Sequence, residues 1–263
     1  MYTTKRVITH IVEELAHHWP KATQTIHDFT LPQGREKIIQ VHSQALFVIG
    51  LPVYAGRLPN LLLPYLKQWK SNGALAIPVV LYGNRSYGNS LLELHDLLKN
   101  NGFHPIAAAA FVGQHAFSKQ LAFGRPNSED LLQTKQLAAY IYQRILALDG
   151  IFFPALDIPG KGAPDYGGYY KPLGIDGQPT QFLKAKPETM THCIHCLQCA
   201  KVCPMGAIDS QNPNHISGIC IKCNACISHC PVNAKQLTDP AYLSHIQYLE
   251  KHFRNHKPAV ELF

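Results

Sequence analysis

"LAIPVVLYGNRSYGNSLLELHDLLKNNGFHPIAAAAFVG" (75–113) holds a whole strand–loop–helix–strand unit. Residues 75–83 form a continuous apolar run of strand length, as a parallel strand buried on both faces requires. Pro78 is awkward there, because it brings no backbone N–H to a ladder. Residues 84–90, "NRSYGNS", form a turn-rich loop. Residues 89–102 read as a helix, with Ser90 and Glu93 as a candidate capping box and Gly102 closing it. A further strand follows at 104–113. The alternation predicts a doubly wound α/β sheet.

The same pattern extends outward. "QALFVIG" (44–50) is another buried strand, and "PNLLLPYLKQW" (59–69) is helical but interrupted by Pro64. "ATQTIHDFT" (22–30) suits a short strand. Residues 128–148 read as a long amphipathic helix with Ser128 as its cap. The chain opens on a helix, since Val7, Ile8, Ile11, Val12 and Leu15 recur at helical spacing and Thr3 or Thr4 can cap it. Residues 1–149 are therefore one α/β domain whose expected opening strand is missing.

Composition narrows the function. The 263 residues carry 24 Lys+Arg against 17 Asp+Glu, for a formal charge of +7. The excess is dispersed, so no nucleic-acid binding is expected. No apolar stretch approaches the ~18 residues of a membrane span, and the start lacks the apolar core of a signal peptide. The expected location is cytoplasmic. All eight cysteines lie between 193 and 230, a cluster that reads as metal ligands rather than a disulfide scaffold.

Residues 150–190 hold six prolines and seven glycines, with Tyr166, Tyr169 and Tyr170 among them. They read as a linker, or as a wrap over a cofactor or a domain joint. Residues 191–237 contain a repeat: "CIHCLQCAKVCPMGA" (193–207) aligns with "CIKCNACISHCPVNA" (220–234). The tail, 238–263, is helical at first and is expected to pack beside this module.

Each copy has the form C-x2-C-x2-C-x3-C-P. Four soft thiolates suit a [4Fe–4S] cluster, and two-residue gaps deliver three of them from one loop. The fourth points to the other cluster. One cluster is expected on Cys193, Cys196, Cys199 and Cys230, the other on Cys220, Cys223, Cys226 and Cys203. Zinc would leave the third Cys of each run and the trailing Cys-Pro without a use. This segment closely resembles two-cluster bacterial ferredoxins, which implies single-electron transfer. Each oxidised cluster with its thiolates carries about −2, which would cut the chain's charge to about +3.

In open α/β sheets, ligands bind at the carboxyl ends of strands. Two Gly-containing loops stand there, "LPVYAGRLP" (51–59) and "NRSYGNS" (84–90), each with a Tyr and an Arg. Tyr54 or Tyr87 could stack on a flat ring. With the order of elements, "GLPVYAGRLP" and "YGNRSYGNS" resemble a flavodoxin-like domain of the flavodoxin–ferredoxin fusion family. That resemblance implies FMN. Thr3 and Thr4 would be the end of its phosphate loop. Its ring would lie on Pro52, Val53, Tyr54, Ala55 and Gly56, and on Gly83, Asn84, Tyr87, Gly88 and Asn89. The stretch 113–118 could border it. The family's central first strand has no counterpart before Met1. Either the start lies upstream, or this variant lacks the strand; the cost of leaving the neighbours' backbone groups unpaired favours the first.

The expected function is electron transfer between FMN, two [4Fe–4S] clusters and redox partner proteins. The alternatives are a flavin-dependent reductase with its own small substrate, using Tyr54, Tyr87 or His115 as proton donor, and a non-catalytic iron–sulfur sensor or assembly subunit.

Overall fold

The computed structural model describes residues 2–148 and 155–263. The central sheet is mostly parallel. Strand β2 (Leu46–Pro52) pairs with β4 (Leu75–Tyr82) over seven residues in register, and β4 pairs with β6 (Ala109–Val112). Short β5 (His104–Pro105) also lies on β4. Gln40–Val41 (β1) and Lys70–Ser71 (β3) form a separate parallel pair.

Helices cover both faces, and side-chain alternation in β4 explains why. Ile77, Val79 and Leu81 face α1 (Tyr2–His18) and α4 (Ser128–Leu146), meeting Val7, Ile11 and Leu137. Ala76, Val80 and Tyr82 face the other way, toward α3 (Ser90–Asn100) and the short helix α2 (Leu63–Leu66), meeting Leu91, Leu94 and Leu66. A strand buried on both sides has no polar positions to spare, which is why residues 75–82 read as one apolar run.

Pro78 lies where the ladder beyond β4 breaks. Ala76 pairs with Pro105 and Val79 with Ala109, so the far side carries one extra residue across this interval. A bulge of this kind spares a proline the hydrogen bond it cannot make.

Several local expectations are corrected. Residues 22–29 form neither helix nor strand and join no ladder. The helix expected over 59–69 shrinks to Leu63–Leu66, with Pro64 in its first turn. The capping box expected at Ser90 and Glu93 does not form: Ser90 Oγ donates to Tyr87 O at 2.7 Å, and the Glu93 carboxylate is drawn to Arg57. Gly102, at φ +85°, does end α3, and Phe103 N donates to Leu98 O. The cap of α4 is Asn127 rather than Ser128, boxed with Asp130.

The tail adds a strand that its sequence does not announce. After α7 (Pro240–Phe253) the chain returns to the central sheet. There β9 (Glu261–Leu262) pairs antiparallel with β6, and Phe263 exchanges backbone bonds with Ala108.

Strand β2 is one edge of the sheet. Beside it runs an open groove of about 1930 Å³, walled by Thr4, Ile8 and Val12 of α1 and, on the far side, by residues 22–30 and 37–45. Residues 22–29 find no ladder because this groove lies between them and β2. Among the described residues, no helix is long and apolar enough to cross a membrane.

Candidate iron–sulfur centre

The two cysteine repeats fold alike. In each, the residues just before and just after the second cysteine are left-handed: His195 (φ 52°) and Leu197 (59°) in the first copy, Lys222 (54°) and Asn224 (56°) in the second. A third such pair is Gly206 (57°) and Asn233 (55°). Left-handed backbone costs a non-glycine residue roughly 1–2 kcal/mol, so its recurrence at equivalent places marks a geometry the loop needs for function. Each copy then makes one helical turn, α5 (Gln198–Lys201) or α6 (Ala225–Ser228). The pairing of β7 (Glu188–Thr189) with β8 (Lys235–Gln236) closes the module.

Backbone amides turn toward sulfur at matching positions. Ala207 N donates to Cys203 Sγ at 3.3 Å, and Ala234 N to Cys230 Sγ at 3.1 Å. His195 N donates to Cys193 Sγ at 3.4 Å. Burial pushes the Cys223 thiol up to about 11 and the Cys226 thiol up to about 12. At Cys230 burial acts the same way, but the backbone N–H groups of residues 232–235 outweigh it and hold the thiol below its ordinary value. Donors aimed at sulfur favour the thiolate that iron binds.

Cys203, Cys220, Cys223 and Cys226 line one small apolar cavity with Ile208, Ile216 and Ile221. Cys203 comes from the first repeat and the other three from the second. Cys193, Cys196 and Cys199 lie on the first loop, with Cys199 buried and Cys196 exposed. Among the described residues, no three His, Cys, Asp or Glu side chains close in on a point that would hold a single metal ion. A cubane asks something different, since its four thiolates bind four separate irons around a larger core.

The buried ammonium of Lys235 donates to Thr189 Oγ1 at 2.6 Å and to Pro213 O; burial raises the Cys199 thiol, and the charge of Lys235 opposes part of that rise.

The module docks on the carboxyl end of the sheet. Asn224 Nδ2 reaches both Tyr242 Oη and Ala116 O. Arg35 bonds Phe29 O, Thr30 O and Pro204 O, the last immediately after Cys203. Phe117, Phe182, Tyr242 and His245 pack into one aromatic cluster at the joint, mainly edge to face. Tyr54, at the end of β2, feels the charges of Cys223 and Cys220, and burial and those charges together raise its phenol.

The residues assigned to a flavin divide. Thr4, Pro52 and Tyr54 line the groove. Thr3 packs its methyl on Gly113. Val53 N donates to Leu81 O, and Ala55 O accepts from Tyr170 N. Gly88 lies so close to Gly56 that a Cβ on it would meet Gly56 O at 2.5 Å, and Gly83 backs onto His115. Asn84 Nδ2 donates to Phe253 O at 2.7 Å. Asn89 holds the backbone of Tyr166 and Lys161. Tyr87 turns into the core, edge-on to Tyr82, with its hydroxyl on Glu261 at 2.7 Å. The ring-stacking role expected for Tyr87 thus falls on a side chain buried in the core with its hydroxyl engaged.

The 155–170 segment lies over both loops. Arg57 is clasped by Glu93 at 2.7 and 2.8 Å beneath the rings of Tyr166 and Tyr169, and Arg85 lies 3.9 Å from the Tyr170 ring centre. The earlier part of the expected 150–190 wrap, residues 150–154, falls outside the described residues. Sequence reasoning missed Arg35, Lys235, Asn224 and the Arg57–Glu93 pair. Only Asn224 carries a local signal, since Asn is a residue type that tolerates left-handed backbone in a turn.

No curated protein and no solved structure matches the chain. Residues 192–234 do match a family model, that of the 4Fe-4S dicluster domain, and this segment is the ferredoxin-type iron–sulfur part of the molecule.

Proposed function

We propose that the chain is an electron-transfer protein with two [4Fe–4S] clusters, one on Cys193, Cys196, Cys199 and Cys230, the other on Cys220, Cys223, Cys226 and Cys203. The observation that carries this reading is the recurrence of three left-handed positions at a 27-residue interval around the two cysteine runs. Cys203 sharing a cavity with the second run supports the crossed assignment. The chain's own part is to hold the thiolates, aim N–H groups at sulfur, and exclude water with Ile208, Ile216 and Ile221. Hydrogen bonds to sulfur and burial set the potentials of such clusters.

The finer reading adds FMN and protein redox partners. FMN, when bound, exchanges electrons singly or in pairs. The first turn of α1 and the loop from Pro52 to Tyr54 fit it, because Thr4, Pro52 and Tyr54 face open space and Tyr54 also stands beside Cys220 and Cys223. The second ring loop does not fit, since Asn84, Tyr87 and Asn89 are engaged with α7, β9 and the overlying segment. A flavin site here would rest on the first set alone.

Anaerobic purification with iron, sulfide and FMN quantified per chain tests both layers. About eight iron and eight sulfide with equimolar FMN is the expected result. About eight iron without flavin removes FMN and leaves the clusters. Loss of iron at native pH without chelator would overturn the reading.

A further inference from the structure

The charge around the groove is unbalanced. Seven Lys and Arg residues line it against two carboxylates, Glu13 and Asp28, and Asp28 is already paired with Lys5 at 3.4 Å. At the iron–sulfur end two strips of chain meet, Leu183–Lys186 and Ser217–Lys222. Leu183 is 79% exposed and Ile219 64%. Lys186 Nζ donates to Ile216 O at 2.7 Å, and Lys222 Nζ to Leu183 O, so the two strips are tied into one surface. Lys184 projects from it, exposed. Beneath lies Cys220, which also walls the cavity shared with Cys203, Cys223 and Cys226. The result is an apolar centre in a cationic rim, directly over a cluster loop.

We propose that this surface is the docking face for an acidic one-electron redox protein, which exchanges electrons with the cluster of Cys203, Cys220, Cys223 and Cys226. The proposal rests on the electron-transfer reading above and adds its partner. Two features select that partner. The cationic rim attracts and orients an acidic surface. Leu183 and Ile219 supply the exposed apolar anchors that interfaces place at their centre. The step balances simply. One electron leaves the reduced cluster for the partner's oxidised centre, the cluster is oxidised by one, the partner is reduced by one, and no bond or proton moves.

The test uses the full chain with its clusters, reduced by dithionite and mixed anaerobically with one of two oxidised probes: an acidic flavodoxin or a basic cytochrome c. Flavodoxin reduction is expected to slow about tenfold or more as salt screens the rim, and to slow at least about fivefold in Lys184→Glu and further in Lys184→Glu/Lys186→Glu. Cytochrome c reduction is expected to stay level or rise in the same variants. Lys184→Glu alone leaves the Lys186 bond to Ile216 intact and guards against a folding artefact. A flavodoxin rate indifferent to salt and to both variants would overturn the docking face. Clusters that dithionite cannot reduce would instead overturn the electron-transfer reading, and the docking proposal with it.

Discussion

The side-chain amide of Asn224 donates to the hydroxyl of Tyr242 at 2.6 Å, and the same nitrogen reaches Ala116 O at 3.0 Å. One residue of the second cysteine loop thus pins both the helix that follows the module and the loop that follows β6. Its left-handed backbone aims the amide at the joint.

Asn224→Leu tests that pin. Leu197 shows that leucine can hold this left-handed backbone in the first copy, so the substitution removes the bonds at the added cost of a less favoured αL residue. Tyr242 Oη and Ala116 O lose a buried donor, at a cost of about 1–3 kcal/mol. Urea unfolding of the iron-loaded protein measures it, and iron release to a chelator should quicken. Unchanged unfolding would mean the bonds add nothing.

Glu93→Ala should be costlier. The Arg57–Glu93 pair is buried, and Glu93 also accepts from Leu58 N at 2.9 Å. Removing one partner of a buried pair costs about 3–5 kcal/mol, because the other charge stays unpaired in low dielectric. Denaturant unfolding followed by the fluorescence of buried Trp69 reads the change. A loss below about 1 kcal/mol would show that the two tyrosines over Arg57 suffice.

Crossed ligation has a double-variant signature. Cys203→Ser with Cys223→Ser strikes one proposed cluster twice and should leave about four iron per chain. Cys203→Ser with Cys196→Ser strikes both clusters and should leave almost none. The opposite ranking would mean that each repeat ligates its own cluster.

His115 gives a pH dependence. Burial, with His245 and Arg85 nearby, pulls its imidazole down to about 4. In the unfolded chain it titrates near its ordinary 6.5. Between these values the unfolded chain binds a proton that the folded protein refuses, so stability falls as pH drops from about 6.5 toward 4. His115→Gln should flatten that slope. Parallel stability curves for the two proteins would contradict the assignment.

The sequence disclosed the chemistry more fully than the architecture around it. The cysteine spacing is a local property of one loop, so ligand candidates and the internal repeat could be read directly. The buried strands were equally plain, because Ile77, Val79 and Leu81 must be apolar for one face while Ala76 and Val80 must be for the other. What escaped depends on partners distant in the chain. Glu93 could cap α3 or clasp Arg57, and only tertiary structure decides. Tyr87 looked like a ring platform until Glu261, 174 residues away, was seen to take its hydroxyl. The short segment 261–262 carries no periodicity long enough to announce a strand.

That closing strand has a mechanical meaning. After β6 the polypeptide lays α4 against the sheet, then forms the iron–sulfur module and α7, and returns to the flank of β6 as β9. Among the described residues, the iron–sulfur segment is thus moored to the α/β sheet on both sides in sequence, by α4 before it and by β9 after it, so that the first and last turns of the chain around the clusters share one scaffold.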